Sequence, residues 1–229
     1  EQPGRDEVPV RDLLAPYLLH PLSAQQIQQI SGYLDLLLRW NARVNLTAVR
    51  DPESIVTRHF GESLFSASHL FPISPVSIEV SSGPKPALDA VSQGATAVDI
   101  GSGAGFPGIP IRIWSSDVRL TLIESNHKKV AFLREVCRAL RLTNVDVFDG
   151  RAEDFSATAN LVTLRAVERF HEILPVATGI VARGGRMALL IGTSQVDTAL
   201  SLPSISWSSA LPIPASLERV LLIGTRLES

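Results

Sequence analysis

One cysteine, one methionine and no apolar run long enough to cross a bilayer set the first limits on this chain of 229 residues. A lone Cys137 excludes an intramolecular disulfide and a cysteine metal cluster, and fits a reducing, cytoplasmic compartment. A transmembrane helix needs about 20 successive apolar residues, so no membrane association is expected. Glu1-Gln2-Pro3-Gly4-Arg5-Asp6-Glu7 lacks the basic and then apolar order of a signal peptide, and without an initiating Met the terminus reads as trimmed. Positive charge is not in excess either. A net charge of −2 gives no global attraction to nucleic acid, so any such binding rests on a local patch. No histidine or carboxylate pair sits at metal-ligand spacing, so no metal site is expected. What is abundant is apolar: 45% hydrophobic against 19% charged residues describes a globular chain with a filled core.

The chain divides into an N-terminal helical extension over 1–71, a loop rich in proline, serine and glycine over 72–95, and a core over 96–229. Three helical segments occupy the extension. The second opens on Ser23 and Gln26, a capping box, and carries Ile27, Ile30, Leu34, Leu37 and Leu38 at helical spacing. The third opens on Asp51-Pro52-Glu53, an N-cap, a proline at the first position and an acid in the first turn. From 96 onward, strands at 96–100, 118–123, 144–148, 160–164 and 185–191 alternate with helices at 108–115, 126–141 and 168–182. This alternation predicts an α/β fold with a doubly wound, Rossmann-like parallel sheet. Runs at 204–207 and 218–224 predict an antiparallel edge.

Between the first strand and helix lies Asp99-Ile-Gly101-Ser-Gly103-Ala-Gly105-Phe106-Pro-Gly108. Such a turn brings bare backbone and a helix N-terminus close to a ligand. It matches the G-x-G-x-x-G dinucleotide pattern formally, but the turn starts earlier, behind a strand-end carboxylate that would repel a pyrophosphate. Asp-x-Gly-x-Gly is the first motif of class I S-adenosylmethionine-dependent methyltransferases, in which the acid helps to hold the amino group of the methionine portion. A tight turn without a ligand explains one or two glycines better than four.

Glu124 closes the second strand, 23 residues after Gly101, where a carboxylate reaches ribose hydroxyls or caps the next helix. After the third strand, Ala152 and Glu153 offer backbone and carboxylate to an adenine edge, or form a solvated acidic loop. Arg165 ends the fourth strand and is expected where substrate meets cofactor, the alternative being an ion pair with Glu168 or Glu172. The position after that strand lacks the Pro-Pro-aromatic segment used on exocyclic amines, and no cysteine nucleophile stands near strand four or five for pyrimidine C5 methylation. A ring nitrogen such as guanine N7 carries an exposed lone pair and no proton, so its methylation needs positioning more than a general base. The contrasting oxidoreductase, with NAD in the turn, requires a Tyr/Lys or His pair near the crevice, and Tyr17 and Tyr33 lie far upstream. Arg39, Arg43, Arg50 and Arg58, interleaved with Trp40, Asn41 and Asn45, read as a phosphate-tracking face or as a solvated helix face. Lys128, Lys129, Arg134, Arg138 and Arg141 on a later helix read the same way. His59 reads as a packed or hydrogen-bonded histidine.

Together these segments resemble the bacterial guanine-N7 methyltransferases of 16S ribosomal RNA, the RsmG (GidB) family. The likeness rests on Trp40-Asn-Ala-Arg-Val-Asn-Leu-Thr-Ala-Val-Arg-Asp-Pro52, Arg58-His59 with Ser63, Val98 to Pro110, Lys129-Val-Ala-Phe-Leu-Arg134, Gly150-Arg-Ala-Glu153 and Leu164-Arg-Ala166. It implies cofactor contacts from Gly101, Phe106, Ala152, Glu153 and Arg165, with S-adenosyl-L-methionine as the cofactor. It implies a guanine in the decoding-region loop of 16S rRNA as target, met as naked RNA or in the small ribosomal subunit. Added to the readings above, the expected cofactor set is Asp99, Gly101, Gly103, Phe106, Glu124, Ala152, Glu153 and Arg165. Arg165 is also the expected catalytic residue, and Arg43, Asn45, Arg58 and His59 the expected RNA contacts, in a monomer. Two positions depart from the family. Ile191 stands before Gly192 where a lysine is usual, and the last strand runs Leu-Leu-Ile-Gly224 without terminal lysines. These losses keep open a third reading, a non-catalytic RNA-binding protein on a methyltransferase scaffold.

Overall fold

A computed structural model describes residues 8–72, 94–167 and 169–228. Residues 73–93 of the expected loop lie outside the described residues. Strands β1 (Thr96–Ile100), β2 (Arg119–Glu124), β3 (Val145–Asp149), β4 (Ala159–Arg165) and β5 (Val181–Gly192) run parallel. The last strand β8 (Arg219–Arg226) is antiparallel to β5 and pairs with the short β6 (Ile205–Trp207) and β7 (Leu211–Pro212). The sheet order is β3-β2-β1-β4-β5-β8-β6. The antiparallel edge expected from the two tail runs is therefore present. β1, most of β4 and residues 187–191 of β5 are buried because helices cover the sheet on both faces.

Helix α5 (Gly108–Trp114), the N-terminal helices and α6 (His127–Ala139) cover one face. Helix α7 (Phe170–Ile180) and the short α8 (Val196–Leu200) cover the other. On the first face α1 (Val10–Leu14), α2 (Ala24–Val44), α3 (Pro52–Ile55) and α4 (Glu62–Leu70) share one continuous apolar core with the sheet, from Leu14 and Ile30 through Phe60 to Ile109 and Leu122.

The local signals act as their chemistry requires. Ser23 Oγ accepts from the Gln26 N–H at 3.2 Å while Gln26 Oε1 accepts from the Ser23 N–H at 2.9 Å, closing the capping box of α2. The same Gln26 amide donates to the carbonyls of Ile113 and Trp114 at the end of α5, so one residue starts one helix and finishes another. Asp51 caps α3 by accepting from the Ser54 N–H at 2.7 Å. Between α3 and α4 the helix widens into a π-helical stretch, Val56–Gly61. An inserted residue of this kind rotates the side chains that follow, and such stretches cluster at functional sites.

Candidate active site

Strand registers bring four chain reversals to one edge. Ile100 lies opposite both Ile123 and Leu164, and Glu124 lies opposite Asp149. Gly101, Glu124, Asp149 and Arg165 are thus level at the carboxyl ends of β1, β2, β3 and β4. β1 is followed by a helix on one face and β4 by a helix on the other, so a crevice opens between them.

The turn after β1 holds left-handed backbone at Gly101, Gly103 and Gly105, with φ of +66°, +57° and +91°. At Gly105 a side chain is excluded twice over, because an added Cβ would strike the Tyr33 hydroxyl and Ile109. Tyr33, on α2, donates its hydroxyl to the Ala104 carbonyl. Its ring stacks on Phe106 at 5.3 Å, and Phe60 closes edge-on against both at 5.0 Å. Phe106 is therefore locked in an aromatic box built by the N-terminal helices rather than laid open to the crevice. A tyrosine 71 positions upstream of Ala104 is the clamp of the turn.

Asp99 also stands behind the turn. It is fully enclosed, Oδ1 accepting from the Thr163 hydroxyl at 2.7 Å and Oδ2 from the Gly108 N–H at 3.3 Å. Burial pushes its carboxyl up to about 6, against the lowering effect of those hydrogen bonds. The acid expected to reach a ligand's amino group instead joins β1 to β4 and to the first N–H of α5. Of its two expected roles, Glu124 takes the one at the start of the next helix, and it also braces the glycine turn. Its Oε2 accepts from the Gly103 N–H at 2.9 Å and its Oε1 from the Asn126 N–H at 2.8 Å, tying the turn to the start of α6. Each oxygen keeps a second lone pair. Ala152 is buried in a short 3-10 turn after β3, whereas Glu153 beside it is exposed. Gly101 is exposed and Gly103 half-buried, so the turn's open backbone faces solvent at the crevice.

Arg165 does not pair with Glu172, the one of its two alternative partners among the described residues. Glu172 pairs with Arg169 at 3.1 Å, and Glu168 lies outside the described residues. The Arg165 guanidinium turns towards the N-terminal helices, donating to Glu62 Oε2 at 3.0 Å, the Arg58 carbonyl at 2.8 Å and His59 Nδ1 at 3.1 Å. Only 9% of the Arg165 side chain and 4% of Glu62 are exposed, which makes this a buried pair. Arg219, the first residue of β8, reaches the same Glu62 oxygen at 3.0 Å.

His59 is set by its neighbours. A guanidinium only donates, so Nδ1 carries the lone pair, and Nε2 holds the proton that faces Thr47 Oγ1 at 2.7 Å. Burial first, and then the charges of Arg165, Arg58 and Arg219, push its pKa down to about 3. It is a neutral acceptor, 9% exposed, and does not face solvent as an RNA contact would.

Thr47 is held in turn by the Trp40 to Pro52 segment. The Asn41 side chain accepts from the Thr47 N–H at 2.9 Å and donates to the Thr47 carbonyl at 3.0 Å. Arg50 donates to the Asn41 carbonyl at 2.8 Å and to Asn45 Oδ1 at 2.5 Å, and Asn45 ends α2 with φ of +54°. Arg43, Asn45 and Arg58 are exposed. Sequence reading missed Glu62 and Arg219. The available signal for Glu62 was a carboxylate inside the apolar run Phe60-Gly-Glu-Ser-Leu-Phe65; Arg219 offered none.

The family model for rRNA small subunit methyltransferase G matches residues 26–85 and 86–209. A protein of that name from Desulfitobacterium hafniense is 38% identical over 72% of this chain, which spans 62% of that relative's length. Its counterpart from Oenococcus oeni is 31% identical over 91% of this chain and 85% of its own length. Among solved structures, TrmN from Thermus thermophilus superposes with a TM-score of 0.56 at 14% identity, covering 75% of this chain and 53% of that one. P. horikoshii TYW2 in complex with MeSAdo gives 0.52 at 18% identity, over 61% of this chain and 60% of that one. These likenesses establish a class I methyltransferase fold. On the family match and the identities together, the chain belongs to the rRNA small subunit methyltransferase G family.

Proposed function

We propose that this protein transfers a methyl group from S-adenosyl-L-methionine to N7 of a guanine in 16S rRNA. The observation that carries the reading is the level edge formed by the Gly101–Gly105 turn, Glu124 and Arg165 in a chain of this family. The residues present fit the cofactor. Gly101 is exposed with positive φ, and an added Cβ would lie 3.0 Å from Val167, so the backbone can approach a ligand where a side chain cannot stand. The spare lone pairs of Glu124 suit ribose hydroxyls, and Gly103 beside it presents backbone. Ala152 supplies a buried wall, and Glu153 a carboxylate, for the adenine edge. When bound, S-adenosylmethionine supplies an electrophilic sulfonium methyl.

The chain's own task is positioning. Guanine N7 brings its lone pair and loses no proton, so no general base is required, and the rate comes from in-line placement. Arg165 orders the end of β4 beside the crevice, held by Glu62 and by the neutral His59. Phe106 and Asp99 act through the turn, one as its apolar anchor and the other as its brace. Arg43, Asn45 and Arg58 supply the RNA face, while His59 contributes by holding Arg165. Ile191 is 3% exposed in β5 and cannot replace a lysine's charge; the RNA face therefore depends on the N-terminal arginines. Titration by calorimetry tests the cofactor: saturable S-adenosylmethionine binding that weakens at least tenfold in Glu124→Ala is expected. Saturable NAD binding without S-adenosylmethionine heat would overturn it.

A further inference from the structure

An open cleft of about 360 Å³ lies behind the Arg165–Glu62 pair, lined by Tyr17, Arg58, Glu62 and residues 214–219. Its size falls within the range of ligand pockets, about 300–1,000 Å³. The N-terminal layer forms one wall: the Tyr17 ring packs under Gly61, and Arg58 stands exposed on the π-helical stretch. The other wall is the connection from β7 to β8, where Ala215 adopts φ of +56° and Leu217 is 102% exposed.

Its charge is unevenly satisfied. Arg165 and Arg219 converge on one Glu62 oxygen, both at 3.0 Å, so a single carboxylate faces two guanidinium groups. The buried Nε of Arg219 has no hydrogen-bond partner among the described residues, and Nη2, although 3.0 Å from Glu62 Oε2, makes no hydrogen bond of good geometry. A buried donor without an acceptor is unfavourable, and an oxyanion placed on Nε would relieve it. Arg58 adds a further cation at the rim. Phosphate matches the fork of donors that a guanidinium presents.

We propose that this cleft binds one nucleotide of the RNA strand, its phosphate on Arg219 and Arg58 and its nucleoside between Tyr17 and the exposed Leu217. The proposal rests on the reading of RNA as substrate. Occupancy bears on the reaction because the phosphate competes for Arg219 with the Glu62 oxygen that also holds Arg165. Arg219 is thus a binding residue for RNA and a positioning residue for Arg165.

The test measures binding of deproteinised 16S rRNA, taken from a strain lacking the family enzyme, against potassium chloride concentration. Each protein is also titrated with S-adenosylmethionine. Arg219→Ala should weaken RNA binding about tenfold and flatten the slope of log K against log salt by roughly 0.7, the loss of one single-strand phosphate contact. Arg219→Lys should retain the slope. Because Leu217 is fully exposed, Leu217→Asp and Leu217→Lys test the cleft mouth without disturbing the core. Both remove the apolar contact, but only the lysine adds an attractive charge, so the first should weaken RNA binding about threefold more than the second. S-adenosylmethionine affinity should stay within twofold throughout. Unchanged RNA affinity and slope in Arg219→Ala, or equal RNA affinity in the two Leu217 variants, would overturn the cleft proposal alone. Wild-type protein that binds S-adenosylmethionine but neither deproteinised 16S rRNA nor small ribosomal subunits at low salt would overturn the RNA reading and the cleft with it.

Discussion

Two buried titratable groups, Asp99 and His59, respond to pH in opposite senses. Asp99 has its pKa raised to about 6, so between its ordinary 3.8 and 6 the folded state holds a proton that the unfolded state has released. Stability from this group is full at low pH and falls as pH rises through that window. His59 has its pKa lowered from 6.5 to about 3, so in that interval the unfolded state binds the extra proton. Its contribution falls as pH drops below about 6.5. The two therefore oppose one another between pH 4 and 6. Asp99→Asn should gain stability relative to wild type as pH is raised from 4 to 6. His59→Gln should lose relative stability over the same change. Denaturant unfolding across that range checks both, and parallel pH profiles for either variant and wild type would contradict the assignment. Asp99 was legible in sequence as a special residue because of the glycines after it. Its orientation was not, since whether a carboxylate faces a ligand or Thr163 depends on a partner 64 positions away.

At the scale of elements, the Trp40 to Pro52 segment acts as a strut. Asn41, 4% exposed, spends its amide on Thr47 and Val49, Thr47 holds His59, and His59 accepts from Arg165. A polar side chain that replaces backbone pairing in a buried loop leaves its partners unsatisfied when removed. Asn41→Ala should cost about 1–3 kcal/mol of stability. It should also lower methyl transfer more than S-adenosylmethionine affinity, because the strut ends on Arg165 and not on the glycine turn. Chemical denaturation and a transfer assay separate the two effects; full activity at reduced stability would confine the strut to folding. Strands and caps were legible because each is a local signal: β1 begins and ends where its apolar run does, and Ser23 and Asp51 cap as their spacing predicts. The π-helical stretch at Val56–Gly61 had no such signal. It is set by Gly61 lying on the Tyr17 ring and by Glu62 reaching two arginines from distant strands.

Over the whole molecule, the N-terminal helices form part of the sheet's cover. Leu14, Ile30, Phe60 and Leu64 share the core that contains Ile109 and Leu122, and Trp114 donates its indole N–H to the Phe71 carbonyl at 2.9 Å. Removal of residues 1–71 would strip the Phe106 box and expose one face of the sheet. Such a fragment should bind an apolar dye and melt without cooperativity; a cooperative transition with retained S-adenosylmethionine binding would show that the core stands alone. The division at 71 was visible as a change in sequence pattern, but pattern does not reveal that two patterns share one core.

The central claim joins cofactor, acceptor atom and RNA in one reaction. Its most direct measurement incubates the protein and S-adenosylmethionine with small ribosomal subunits, and separately with deproteinised 16S rRNA, from a strain lacking the family enzyme. Nucleoside mass spectrometry and chemical cleavage at methylated guanines then locate the product. The account predicts one added methyl group, on N7 of a single guanine in 16S rRNA, and its loss in Glu124→Ala. A methyl on another atom or nucleotide, or none with either substrate while S-adenosylmethionine binds, would contradict it.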